Sequence, residues 1–199
     1  MLFRFPHSSW LPACRRLLLL LPALVLAAGL SARSLVKADV QLANNAVLAM
    51  YQDEDANMWI GTYDGLHLYN GKNTFVFRME LDNEFSLCSN IVLEIAPAEK
   101  GYLWVATSLG INKFSLRERR VVESYMQYVD VENIASDSEG NTVLFSGEDF
   151  ITCYRPGRAF FEDVYIPGVR AAEIVAVWSE APRVFCTLGR DGELVRYRL

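Results

Sequence analysis

Chemistry in this chain would have to begin from few residues. Only His7 and His67 are histidines, and His7 precedes a run of 14 apolar residues, Leu17 to Leu30. His67 alone cannot build a multi-histidine metal site. A triad through it lacks the Gly-x-Ser-x-Gly elbow that would present a nucleophile. No Gly-x-x-x-x-Gly-Lys-Ser/Thr phosphate loop occurs. Asp53-Glu54-Asp55 is an acidic cluster of the kind metal loops favour, but the glycine and distal glutamate of an EF-hand are missing, so it reads as a solvated turn. Arg117-Glu118-Arg119-Arg120 reads as a turn, not a polyanion site. Cys88, Cys153 and Cys186 follow the N-terminal run; an odd number cannot pair completely. Cys153 and Cys186 fall inside strand patterns and read as small buried apolar groups, with one bridge left open in an oxidising compartment. No catalytic residue, metal site or cofactor is assigned. The net charge of −5 gives no basic footprint for nucleic acid.

The elements that would position any site repeat. Trp59-Ile60-Gly61-Thr62 is followed by Asp64-Gly65, a hairpin turn signal, and by Leu66-His67-Leu68-Tyr69. Apolar and polar residues then alternate as on a half-buried strand, with His67 facing away from Leu66 and Leu68. Trp104, Thr107, Gly110 and Phe114 recur 45 residues after Trp59, Thr62, Gly65 and Tyr69. A weaker third copy runs from Asp137 to Ser146, with Val143 at the tryptophan position, and a fourth holds Val184 to Thr187, Asp191-Gly192 and Leu194 to Tyr197. Spacings of 45, 39 and 41 residues suit stacked units joined by surface loops. Four short strands per unit is the β-propeller blade pattern. The predicted fold is all-β, with blades at about 46–90, 91–128, 129–171 and 172–199 and a lead-in strand at 33–45. Trp59 and Trp104 are expected to fill the layers between blades. Gly61 and Ala106 are expected where strands crowd, and Thr62, Thr107 and Thr187 beside backbone. Gly65 and Gly110 complete the structural set.

The first 32 residues differ. Arg4, Arg15 and Arg16 precede the apolar run, no acid occurs, and Ala27-Ala28-Gly29 and Ser31-Ala32 offer small residues for cleavage. This is a signal-peptide layout, helical in its apolar part, with an uncleaved anchor as the alternative. Its removal would take three positive charges from the chain. Leu11-Pro12-Ala13-Cys14 lies on the wrong side of the run for a lipoprotein box, and Arg15-Arg16 has no further twin-arginine context.

The Asp-rich turn, Trp-Ile-Gly-Thr, Asp-Gly-Leu and closing Tyr69 resemble the two-component regulator propeller repeat across roughly 46–199, most specifically in the first copy. The resemblance implies the periplasmic sensor N-terminus of a Bacteroidetes-type hybrid two-component system. In that plan a signal segment leads into two large propellers, then a β-sandwich, a membrane helix, a histidine kinase, a receiver and a DNA-binding domain. It further implies an oligosaccharide ligand, the remaining blades and the kinase as partners, a homodimer in the full-length sensor, and an inner-membrane anchor. This chain would then be a non-enzymatic N-terminal piece, forming an open arc with uncovered first and last faces. The alternatives are a secreted carbohydrate-acting propeller enzyme and a non-catalytic interaction propeller. The sialidase turn Ser-x-Asp-x-Gly-x-x-Trp is not met: Gln52, Glu54 and Ala56 stand at its key positions before Trp59.

Overall fold

The computed structural model describes residues 40–126, 131–145, 151–158, 160–166 and 170–199. The leader, most of the lead-in and Ser146 of the third repeat lie outside the described residues. No helix among the described residues is long and apolar enough to cross a membrane.

Alternating apolar residues broken by short turns produce fifteen strands among the described residues. Blade one holds β1 (Val47–Gln52), β2 (Met58–Thr62), β3 (Gly65–Tyr69) and β4 (Thr74–Phe77). Blade two holds β5 (Val92–Pro97), β6 (Tyr102–Thr107), β7 (Gly110–Ser115) and β8 (Arg120–Tyr125). Blade three holds β9 (Asn133–Ser136), β10 (Thr142–Phe145), β11 (Ile151–Tyr154) and β12 (Phe161–Val164). Blade four holds β13 (Ile174–Ala181), β14 (Val184–Gly189) and β15 (Leu194–Arg198), preceded by a single 3-10 turn, Ala171–Glu173. Within each blade the strands pair antiparallel in chain order. The fold is a β-propeller of four blades.

The period of 45 residues reflects register. Trp59 pairs with Tyr51 and Leu68, and Trp104 with Ala96 and Lys113. Both tryptophans are buried. The β2–β3 turn itself is Tyr63-Asp64, because Thr62 pairs directly with Gly65. Gly65 stands just after the turn, in the positive-φ backbone expected of it. Its φ is +111°, and a Cβ there would lie 2.5 Å from the Phe77 carbonyl oxygen of β4. Thr62 closes the turn: its Oγ1 accepts the Asp64 N–H at 2.9 Å and donates to the Gly65 carbonyl at 3.2 Å. Thr107 donates in the same way to Gly110 at 2.8 Å. The buried hydroxyl of Thr187 has no hydrogen-bond partner among the described residues.

Successive sheets pack face to face in chain order. Ala49, Trp59, Leu66 and Leu68 of blade one meet Ile95, Leu103, Val105 and Phe114 of blade two. Ala96, Trp104 and Ile111 meet Ile134, Leu144, Tyr154 and Phe161 of blade three. Ala135, Val143 and Cys153 meet Phe185 and Tyr197 of blade four. Gly61 is small because the next blade arrives there: a Cβ would sit 2.6 Å from Val92 Cγ1. Among the described residues blade four makes no comparable packing with blade one. Its outward face carries Trp178 and Leu194, 39% and 60% exposed, beside the Arg196–Glu180 ion pair.

The other end departs from expectation. The first face of blade one is the cross-strand row Met50, Ile60, His67 and Val76. Ile60 and His67 are buried, so this face is not bare. The Ala43 N–H donates to His67 Nε2 at 3.0 Å. Val40 and Leu42 lie outside any strand, and the rest of the lead-in, 33–39, lies outside the described residues.

Trp104→Ala should destabilise by about 3–5 kcal/mol through cavity formation, and Gly61→Ala by about 1–3 kcal/mol through overpacking against Val92; denaturant melts measure both. His67 also gives the fold a pH signature. Burial holds its pKa below the ordinary 6.5. Its contribution is complete above that value and is lost as pH falls toward the lowered folded pKa, since the unfolded chain binds the proton first. His67→Gln should flatten this part of the stability profile, read from melts across the acidic range.

Candidate functional site

The polar group least expected in a blade interface is Lys113. It occupies the β7 position that pairs with Trp104, where blade one has Leu68 and blade three has Cys153. Only 5% of Lys113 is exposed. Its ammonium pairs with Glu99 of the β5–β6 turn and lies 3.8 Å from Glu123 of β8. It donates to the Tyr154 phenolic oxygen at 3.1 Å. It also lies over the rings of Tyr102, Trp104 and Tyr154, at 5.1, 5.7 and 5.2 Å from their centroids. The quadrupoles of those rings favour a cation. Burial alone would lower the Lys113 pKa, but the bonds to Glu99 and Tyr154 outweigh it and hold the pKa above the ordinary lysine range.

The surroundings fix this arrangement. The Trp104 indole N–H donates to Thr142 Oγ1 of blade three at 2.9 Å. The Tyr154 ring meets Trp104 edge-on at 5.0 Å. Tyr125 donates its phenol to Glu123; burial first, and then that carboxylate, push its pKa well above the usual tyrosine range. Gly140, at φ +83°, brings the β9–β10 turn against Glu99, where a Cβ would lie 2.8 Å from Glu99 Cβ. One oxygen of Glu99, Oε2, is buried with no hydrogen-bond partner among the described residues. A cleft of about 640 Å³ opens here, bordered by Glu99, Lys113, Glu123, Tyr125, Tyr154 and Arg158. Across the β5–β6 turn lies a second cleft of about 430 Å³, bordered by Tyr51, Asp53, Glu99, Tyr102 and Arg117.

The site therefore offers carboxylates, a fixed cation, phenols and aromatic edges. Such a set can recognise a neutral polar molecule by hydrogen bonding and ring contact. Of the repeat positions read from sequence, Trp104 adjoins this cluster. Trp59, Gly61, Thr62, Gly65, Thr107 and Gly110 lie in strands and turns away from the cleft, and Thr187 borders a separate cavity of about 40 Å³ with Glu173 and Asp191. His67 is fully buried, with Nε2 engaged by Ala43. Asp53 is a turn organiser: its carboxylate accepts from the N–H groups of Asp55 and Asn57, the Asn57 amide and the Trp59 indole. Burial would raise its pKa, but these bonds prevail and lower it. Asp137 binds Glu139 and Asn141 likewise, and also takes the Arg183 N–H of blade four at 2.7 Å. Among the described residues no group of three His, Cys, Asp or Glu side chains could hold a metal ion. Cys88, Cys153 and Cys186 are free thiols, and burial pushes Cys153 up to about 11.

The comparison with family models picks out the segment from the lead-in through β2 to Asp64. It matches the two component regulator propeller model over residues 41–64. No curated protein matches the chain by sequence. Among solved structures, the chain is similar to the extracellular domain assigned to hybrid two component system BT3049 of B. thetaiotaomicron. The identity is 19% and the TM-score 0.62, covering 79% of this chain and 24% of that one. The corresponding domain of BT4673 from the same organism gives 18% identity and a TM-score of 0.59, covering 79% and 21%. A streptogramin B lyase shares the fold at 12% identity and a TM-score of 0.54, covering 80% and 57%. The chain thus spans about a quarter of the two-component domains it matches.

Lys113→Met should destabilise by about 1–3 kcal/mol, because it leaves partly buried acceptors without their cation. Adding Glu99→Gln should recover part of the loss, and a double-mutant cycle by chemical melts measures the coupling.

Proposed function

We propose that this chain is a ligand-sensing propeller segment of a two-component sensor, acting outside the cytoplasm and non-catalytic in itself. The repeat at residues 41–64 and the propeller fold support a sensor-type module. The likeness to extracellular domains and the signal-like leader support the location. On this reading the ligand is an oligosaccharide, and the cleft between blades two and three receives it.

The observation that carries the ligand assignment is the unpartnered Glu99 Oε2 beside the Lys113 cluster. A buried acceptor without a donor is costly, and a hydroxyl-bearing molecule in the cleft would supply one. Tyr125 and Tyr154 add the ring surface and phenols suited to sugar rings. The remaining blades and the kinase would couple occupancy to phosphoryl transfer in a full-length sensor. The lyase likeness does not favour the carbohydrate-enzyme alternative, because one fold hosts unrelated chemistry.

A glycan array probed with the chain should retain neutral oligosaccharides, with titration calorimetry giving the affinity. Glu123→Gln and Arg158→Ala should each weaken binding by about tenfold without shifting the melting temperature much. Absence of any glycan binding, or binding indifferent to both substitutions, would sink this assignment.

A further inference from the structure

A second surface lies at the end of the strands that carries the Tyr63-Asp64 turn. The connection from β4 to β5, residues 78–91, is irregular yet tightly bonded. Met79 N–H donates to Asn90 Oδ1 at 2.7 Å and Glu80 N–H to Ser86 Oγ at 3.0 Å. The Phe85 N–H donates to Asn83 Oδ1 at 3.0 Å, and the Ser86 N–H to the Asn83 carbonyl at 3.1 Å. Leu87, 1% exposed, plugs the loop into the core. The loop is thus held by polar bonds and one anchor, and its remaining apolar side chains are not needed to order it.

Met79 and Leu81 of this loop, and Met126 just after β8, face water. Leu81 is 85% exposed, Met126 62% and Met79 40%, and with Leu87 they border one groove of about 540 Å³. Single exposed apolar residues are ordinary, but several along one groove mark an interaction surface. Methionines suit a site that adapts to its guest. The rim is acidic: Glu80, Asp82 and Glu84 form no ion pair among the described residues. Nearby bases are engaged elsewhere, Arg78 with Asp64, and Arg120 with Glu118 and the Phe85 ring.

We propose that this groove docks a peptide segment bearing both apolar and basic side chains. The apolar side chains enter between Leu81 and Met126, and the basic ones meet Glu80, Asp82 and Glu84. Charge complementarity selects this occupant over acidic segments and over anionic lipid surfaces, which the rim repels. The proposal is independent of the saccharide cleft.

Fluorescence anisotropy of the full chain with a short labelled peptide of alternating lysine and leucine tests it. That peptide should bind, more weakly as ionic strength rises, while glutamate–leucine and lysine–serine peptides should not. Leu81→Ser should reduce affinity by about tenfold or more, and Glu80→Lys with Glu84→Lys should transfer preference to the glutamate–leucine peptide. Leu81 is exposed, so Leu81→Ser should leave the melting temperature unchanged and keep the test clear of misfolding. Equal binding of all peptides, or binding unaffected by these substitutions, overturns the proposal. So does chain self-association, or attachment to neutral phospholipid vesicles, that Leu81→Ser abolishes, since the occupant would then be a second copy or a membrane.

Discussion

A four-stranded sheet with two apolar faces cannot leave either face in water, and this structure depends on meeting that constraint sheet by sheet. Three interfaces join the four blades, each filled by an apolar cluster that draws on both neighbours. Trp59 and Trp104 lie in two of them because the strand position they share points toward the next blade. Stability in such a row comes from nearest-neighbour contacts, so each blade is folded largely by the one beside it. Gly61 shows how close the approach is: Val92 occupies the space that a side chain would take.

The same packing creates the chemistry. An interface between two sheets is a low-dielectric slot, and a charge placed in it must bring its own partners. Lys113 does so with Glu99, Glu123, Tyr154 and three aromatic rings. The cluster emerges at a cleft, so a structural solution to burying a cation also presents ordered polar groups to solvent. Extracellular domains of two component systems and a lyase share this fold, so the fold by itself does not set function.

The fold was legible from sequence because strand pairing in a blade is local. Alternation gives the faces, short turns give the pairing, and a fixed period repeats both. At the described end of the lead-in, Val40 and Leu42 carry apolar alternation but lie outside any strand, and the Ala43 N–H is taken by His67; periodicity cannot report such a bond. Gly65 takes the positive φ that the Asp64-Gly65 signal called for, but its close approach to the Phe77 carbonyl of β4 was not legible. The Lys113 cluster was missed altogether. Glu99, Lys113 and Tyr154 are far apart in the chain and belong to no spacing motif. Only the intrusion of a lysine into a register held by Leu68 and Cys153 could have drawn attention to it.

That substitution has a consequence for assembly. Chains built from similar units risk joining the wrong surfaces, because a face suited to one neighbour partly suits another. At the shared position the three forward faces present Leu68, Lys113 and Cys153, an aliphatic, a cation and a thiol. The second brings Glu99 and Glu123 from its own blade, but its phenolic partner Tyr154 waits only on blade three; against Ile95 and Val105, or against Phe185, it would lose that hydrogen bond and that ring. One lysine thus labels its blade, and the order of the units is written into their contacts as well as into their connections.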